Sequence, residues 1–295
     1  MSEATDTRFG TIALAGKPNS GKSTLFNAIV GAQLAITSRK PQSTREPVIG
    51  VYTEGTTQLV FIDPPGLLEP DYLLQETMLE LAEDALAHAD AILYLHPVVD
   101  GPAPPLETLT PERALPARAV ATVLTFADAL PEDNLPVVDP PTFLVAATTG
   151  RGLEELLVWC RSRAREGPFR YDPDDISTQP LRFFAAEFVR EAAFNVLGEE
   201  LPYSIATEVD EFRDGSEPVY IRVTIYVERE SQKGMVIGRG GRTVRALGAQ
   251  ARERIEALVG QHVYLDLWVK VLPRWRRVSH ALRQLGFPLP TMRKP

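Results

Sequence analysis

A single cysteine, Cys160, stands in 295 residues, so neither an internal disulfide nor a multi-cysteine metal centre can form. The four histidines, His88, His96, His262 and His280, are scattered without ligand spacing, which argues against a histidine-built metal site as well. No apolar run approaches the roughly 18 residues of a membrane-spanning helix, and MSEATDTRFG has no apolar segment behind a basic start. Membrane spanning and secretion are therefore not expected, and a reducing cytoplasm suits the lone thiol. Net positive charge is missing from most of the chain: the whole carries −8, but positions 231–295 carry +10 and the remainder −18. An acidic body with a basic C-terminal part is the polarity of a soluble module joined to one that meets an anionic partner.

What is present is a core-forming composition, 44% hydrophobic and 24% charged, at a length suited to two domains. Up to about residue 165, short apolar runs alternate with helical patterns: TIALAG, STLFNAIVGAQLA, QLVFI, LLQETMLELAEDALA, AILYL, AVATVL, TFLVAA and GLEELLVWCRSRARE. Such alternation predicts an α/β domain, a mostly parallel sheet with helices on both faces. EPVIGVYTEG can pair with TTQLVFID as an edge hairpin. HPVVDGPAPPLETLTPERALPAR and PEDNLPVVDPP are too rich in proline for long helices. The stretch GPFRYDPDDISTQP reads as a linker. After it come a helix (LRFFAAEFVREAAFNVLG), two strands (SIATEVDEF, VYIRVTIYVER), the glycine cluster IGRGG, a helix and a strand, which is an α+β unit. The organisation expected is a first domain over 1–168, a linker over 169–180 and a second domain over 181–295 with a basic tail.

Gly16-Lys17-Pro18-Asn19-Ser20-Gly21-Lys22-Ser23-Thr24 matches the Walker A pattern and lies between a predicted strand and a predicted helix. The glycines let backbone N–H groups curl around phosphate, Lys22 reaches the β and γ oxygens, Ser23 offers a hydroxyl to Mg²⁺, and the helix N-terminus adds a positive end. Asp63-Pro64-Pro65-Gly66 follows the strand QLVFI, where the carboxylate can hold the Mg²⁺ shell and the Gly66 amide can sense a γ-phosphate. Between them SRKPQSTREP is long enough to fold over the phosphates and brings Thr44 as a further Mg²⁺ ligand. Toward the C-terminus, Gly238-Arg239-Gly240-Gly241 is a GXXG loop in surroundings that suit a KH module, with Lys233, Arg242 and Arg245 flanking it. Ile237, Val236 and Val244 are candidates for an apolar groove for unpaired bases, or for plain core. Arg274, Arg276 and Arg277, with Trp275 between them, can meet phosphates or stack on a base.

GKPNSGKSTLFN, SRKPQSTRE and DPPG, continued by YDPDDIS and RFFAAEFVREAAFNVLGEELPYSIATEVDEF, resemble the Era family of bacterial GTPases over nearly the whole chain. The resemblance implies a GTP-binding domain joined to a type II KH domain. It also implies GTP/GDP and Mg²⁺ as cofactors, and action in assembly of the small ribosomal subunit through its 16S ribosomal RNA. In the family, Asn or Thr, Lys, any residue and Asp read guanine. Here Thr125-Phe126-Ala127-Asp128 keeps the threonine and the aspartate but has phenylalanine for lysine. Either Asp128 reads the base with Phe126 stacked on the purine, or Asp128 caps a turn and Phe126 is core. Pro64 replaces a family threonine. Ala146-Ala147 stand where the family has Ser-Ala, which loses a hydroxyl while the Ala147 backbone still faces the base. Only 17 residues separate Asp128 from Ala146, with prolines at 131, 136, 140 and 141, so the helix usual there must be short or missing.

Leu67, after Gly66, cannot orient a water, so slow turnover is expected. The resemblance offers Asn19 as a ligand for a potassium ion beside the phosphates. The competing reading is an RNA-binding assembly factor whose P-loop domain binds nucleotide weakly or without hydrolysis. Peripheral membrane contact, a family association, has no specific support in these residues, and a monomer is the default expectation.

Overall fold

The computed structural model of the chain describes residues 6–38, 40–110, 118–198 and 200–290. Two compact units divide it, one of Met1–Glu69 and Met78–Thr178, the other of Pro70–Thr77 and Gln179–Pro295. The basic residues Arg293 and Lys294 of the expected tail lie outside the described residues.

In chain order the first elements are β1 (Arg8–Ala15), α1 (Lys22–Val30), β2 (Val48–Glu54), β3 (Thr57–Asp63), α2 (Leu73–His88) and β4 (Ala91–Pro97), then β5 (Ala119–Thr125), β6 (Thr142–Leu144), α3 (Leu153–Arg161) and β7 (Arg165–Glu166). The sheet order is β2-β3-β1-β4-β5-β6. It is parallel throughout except for β2, which forms the anticipated hairpin with β3, and β7, which pairs antiparallel with the start of β1. Ile12–Ala15 of β1 and Ala91–Leu95 of β4 are buried on both faces, which is why these runs are continuously apolar instead of alternating.

Helix α1 stops eight residues from its lysine instead of continuing through GAQLA. Gly31 takes the left-handed conformation (φ 73°), and the buried Asn27 side chain accepts from the N–H groups of Leu34 and Ala35 and donates to the Ala35 carbonyl. Of the segment RARE, expected as the end of α3, the last two residues, Arg165–Glu166, become β7. Where proline is dense, the described residues form only short 3₁₀ turns: Val98–Asp100, Leu106–Leu109, Ala127–Ala129 and Glu132–Asn134.

The expected linker is not a free tether over its first part. The Val51 N–H donates to the Ile176 carbonyl at 3.0 Å, and Ser177 Oγ donates to the Ile49 carbonyl. The wholly buried Gln58 side chain bonds the backbone of Arg170 and Tyr171. Ile176 and Ser177 thereby bond the outer edge of β2, which would otherwise present unpaired backbone groups there.

The second unit contains α4 (Leu181–Val196), β8 (Ala206–Arg213), β9 (Val219–Val227), α5 (Glu230–Ile237), α6 (Arg242–Val259), β10 (Val263–Val271) and α7 (Ser279–Gln284). Its sheet runs β10-β9-β8, with β9 parallel to β10 and antiparallel to β8. Phe184, Phe188 and Ala192 of α4, Leu247, Ala251 and Ile255 of α6, and Ile221, Val223 and Ile225 of β9 are its buried core. The sequence reading placed the glycine cluster directly after a strand. The structure corrects this: α5 intervenes, so GRGG joins two helices. Gly234 in its middle hides this helix, and Gln232 Oε1 caps its start by accepting from the N–H groups of Glu228 and Arg229.

Candidate functional site

The P-loop turns between β1 and α1 through glycines that nothing else could replace. A Cβ at Gly16 (φ 151°) would meet Ser20 Oγ at 2.5 Å and the Leu95 carbonyl oxygen at 2.7 Å. One at Gly66 would lie 2.6 Å from the backbone nitrogen of Pro18, and the Leu67 N–H donates to the Gly16 carbonyl at 3.0 Å. The DPPG segment thus packs directly on the P-loop. A cavity of about 440 Å³ opens beside them, lined by Pro18, Asn19, Gly21, Lys22, Ser23, Thr24, Gly66, Thr44 and Phe126. Ile36, Thr37, Ser38, Gln42 and Ser43 complete it. Gly16, Ser20 and Asp63 are buried or packed beneath, outside that lining.

Three predicted Mg²⁺ ligands from separate segments converge. Ser23 Oγ donates to Asp63 Oδ2 at 2.7 Å and lies 3.2 Å from Thr44 Oγ1. Asp63 is fully buried, and its Oδ1 has no hydrogen-bond partner. A buried carboxylate oxygen left alone costs on the order of 1–3 kcal/mol, which a cation at that oxygen would offset. Burial pushes the Asp63 carboxyl up to about 6, against the opposing pull of the Lys22 charge and of its hydroxyl partners. Lys22 is buried too, and its ammonium donates to the Gly16 and Lys17 carbonyls at 3.2 and 3.0 Å. Burial lowers it to about 8, with Asp63 pulling the other way. A buried cation, a buried anion with a spare oxygen, two hydroxyls and a helix N-terminus suit a Mg²⁺-bound polyphosphate.

The other end of the site is open. Thr125 is buried and its hydroxyl donates to the Ser20 carbonyl at 2.9 Å, tying β5 to the P-loop. Phe126 adopts a left-handed conformation (φ 57°), stays 38% exposed and puts Cζ 3.5 Å from where a Gly21 Cβ would be. It lines the cavity, so the core alternative for this side chain is ruled out. Asp128 is exposed and accepts from Thr148 Oγ1 at 2.9 Å. Asp128, Thr125 and the half-buried Ala147 lie outside the cavity lining.

In the second unit a Cβ at Gly238 (φ 73°) would sit 2.1 Å from Thr243 Oγ1, so the loop closes on the start of α6 only with glycine. Gly240 and Gly241 also have positive φ. Arg239, Arg242 and Arg245 are exposed, with Arg245 donating to the Gly240 carbonyl at 2.7 Å, and Lys233 is half-buried. Ile237 and Val244 are half-buried beside the loop, whereas Val236 is wholly buried and belongs to the core. Leu265, Leu267 and Val269 on the edge strand β10 are half-buried while their β9 neighbours are fully covered, and Gly248 of α6 sits against Leu267. These edge residues and Met235, 60% exposed, extend the apolar strip and were not singled out from sequence, where each reads as ordinary strand or helix. Trp275 cannot stack on a base. It is wholly buried, donating from Nε1 to the Ser204 carbonyl at 2.8 Å and stacking on Phe287. Arg276 is held by Glu228 at 2.7 Å, and Arg274 and Arg277 are exposed.

The fold and the site define a class: a P-loop nucleotide-hydrolase domain followed by a KH module. Family models agree, a "50S ribosome-binding GTPase" matching residues 11–124 and a "KH domain" matching 200–276. The GTPase Era of Carboxydothermus hydrogenoformans is 37% identical over 291 residues, covering 94% of this chain and 97% of its own. That of Thermotoga maritima is also 37% identical over 291 residues, covering 93% and 95%. Among solved structures, a variant of Aquifex aeolicus Era bound to GDP and aluminium fluoride superposes with a TM-score of 0.89 at 34% identity, covering 96% of this chain and 100% of its own. Era in complex with MgGDPNP and nucleotides 1506–1542 of 16S ribosomal RNA gives 0.87 at 35%, with the same coverage. The chain belongs to the Era family and is a GTPase.

Proposed function

We propose that this GTPase binds GTP and GDP with Mg²⁺ in the cavity between the P-loop and the Ser38–Glu46 segment, and couples nucleotide state to RNA engagement by its KH module. The observation that carries the reading is the meeting of Ser23, Thr44 and Asp63, with Asp63 Oδ1 buried and unpartnered, next to the buried Lys22. Ser23 and Thr44 would hold Mg²⁺ directly and Asp63 would order its shell; bound there, the ion supplies charge neutralisation to the phosphates. Lys22 exchanges its two carbonyl partners for phosphate oxygens. Gly66 lies against Pro18 and brings its amide to the phosphate side. Thr44 ties the Ser38–Glu46 segment to nucleotide state, because its hydroxyl is a ligand only while the site is loaded. Leu67 is apolar and buried, so no side chain after Gly66 positions an attacking water, and turnover is slow. Asn19 lines the cavity and is the residue offered to a potassium ion.

For the second module, the RNA seen with the Era relative, nucleotides 1506–1542 of 16S ribosomal RNA, is the partner class proposed here, with the small ribosomal subunit as its setting. Gly238–Gly241 lets the RNA backbone approach, Lys233, Arg239, Arg242, Arg245 and Arg274 meet its phosphates, and the strip from Ile237 to Leu267 receives unpaired bases. Domains of 1–168 and 181–295 and a monomeric chain complete the proposal. No helix among the described residues is long and apolar enough to cross a membrane.

The test is GTP hydrolysis and RNA binding measured together. Wild type should hydrolyse slowly, faster in potassium than in sodium, and bind a fragment of 16S ribosomal RNA spanning nucleotides 1506–1542 differently with GTP analogue than with GDP. Equal rates in the two salts would remove the role of Asn19, and equal RNA affinity in both nucleotide states would remove the coupling.

A further inference from the structure

The base end of the site carries Phe126 and Ala146-Ala147, and its carboxylate, Asp128, is not left to itself. Asp128 sits in the short turn Ala127–Ala129 at the C-terminal end of β5. The backbone of that turn is fixed, since Ala127 is wholly buried and its N–H donates to the Val145 carbonyl at 3.3 Å. The side chain is exposed, so packing alone does not choose its rotamer. A carboxylate that must present two oxygens edge-on to a purine needs something to hold it.

Across from it, residues 146–151 form a tight turn after β6. The Gly150 and Thr149 N–H groups donate to the Ala146 carbonyl at 3.0 and 3.2 Å, and Ala146 bridges to Arg151. On this rigid frame, Ala146 and Ala147 carry no polar side-chain atom. Thr149 turns its hydroxyl back to the Ala146 carbonyl at 3.3 Å, and Arg151 pairs with Glu132 at 3.5 Å. Thr148 alone in the turn aims a donor at Asp128, Oγ1 to Oδ2 at 2.9 Å. Its β-branched side chain is stiff at χ1, which suits it to fixing a neighbour.

We propose that Thr148 is the positioning residue for guanine selection: its hydroxyl, 2.9 Å from Asp128 Oδ2, holds the carboxylate in orientation. The proposal rests on the reading that Asp128 recognises the base. The hydroxyl donates to one lone pair of Oδ2. Oδ1 and the remaining lone pair of Oδ2 stay free to accept from the N1–H and the exocyclic amine of guanine. A purine without the 2-amino group uses one of the two contacts and depends less on the orientation.

The test compares GDP, IDP and XDP binding by calorimetry for wild type, T148V, T148S and D128N, with melting temperatures alongside to establish that each variant is folded. T148V should weaken GDP binding roughly five- to tenfold and IDP binding less, narrowing the GDP/IDP ratio, as loss of one hydrogen bond to a charged, exposed group implies. T148S, which restores the hydroxyl, should return the ratio to that of wild type. D128N should swing preference toward XDP. A D128N protein without that swing overturns the base-reading role of Asp128 and this proposal with it. With the swing present, a T148V protein whose GDP/IDP ratio equals wild type, or a T148S protein as impaired as T148V, overturns the role of Thr148 alone.

Discussion

The two ends of the nucleotide site are built by opposite means. At the phosphate end Lys22, Ser23, Thr44 and Asp63 come from three separated segments and are buried or half-buried, each tied to another or to the P-loop backbone. At the base end Phe126, Asp128 and Thr148 are exposed, and Asp128 and Thr148 are joined to each other by one hydrogen bond. Buried charges are costly unless each is paired, so the phosphate end admits few substitutions. Exposed groups are cheap to exchange, and hydrogen bonds there can migrate from one side chain to a neighbour.

The contrast can be broken most forcefully at Lys22. K22A should weaken GDP binding on the order of 100-fold, since it removes a buried charged donor from the phosphates; calorimetry with saturating Mg²⁺ checks this, and a loss under threefold would contradict the phosphate grip. Phe126 sharpens the other side. F126A should weaken GDP and ADP alike, by about tenfold if its ring covers the purine face, because stacking does not distinguish bases. If GDP falls and ADP does not, Phe126 acts on selection instead of cover.

Asp63 gives a pH signature to the buried end in the absence of metal and nucleotide. Its folded-state pKa, about 6, lies above the ordinary carboxyl value of 3.8. The folded protein therefore holds an extra proton between those values, and the stability from this group, complete below about 4, is lost as pH rises through about 6. The melting temperature of wild type relative to D63N should fall across that window, and a relative rise would contradict the burial argument. The smallest effects are expected at the RNA-facing loop. R242A and R245A should each weaken RNA binding about threefold, whatever the sequence, and flatten the dependence on log salt by about one. A changed sequence preference with an unchanged slope would mean base contact instead.

Most of the fold is legible in the sequence because buried strands of a parallel sheet must be continuously apolar, and TIALAG, AILYL and AVATVL are. Helix α5 is not, since Ser231, Gln232, Lys233 and Gly234 show no apolar period and a mid-helix glycine argues against a helix at all. The end of α1 hangs on Asn27, whose role as a bracket for residues 34–35 depends on three-dimensional closure. At the candidate site, Walker A spacing was enough to expect the P-loop between β1 and α1, because local backbone geometry makes it. The spare oxygen of Asp63, the left-handed Phe126 and the Thr148 bond were not readable, as each depends on segments brought together by the sheet. Trp275 misled for a related reason: arginines on either side suggest a surface, while the single side chain between them turns inward.

The central claim is that affinity resides in the phosphate grip, with base selection resting on one held carboxylate. Calorimetric comparison of GDP, GMP and ADP in Mg²⁺ tests it most directly. Removing the β-phosphate, as in GMP, should cost more than exchanging guanine for adenine, as in ADP. GMP binding as tightly as GDP, or ADP binding more weakly than GMP, would contradict it.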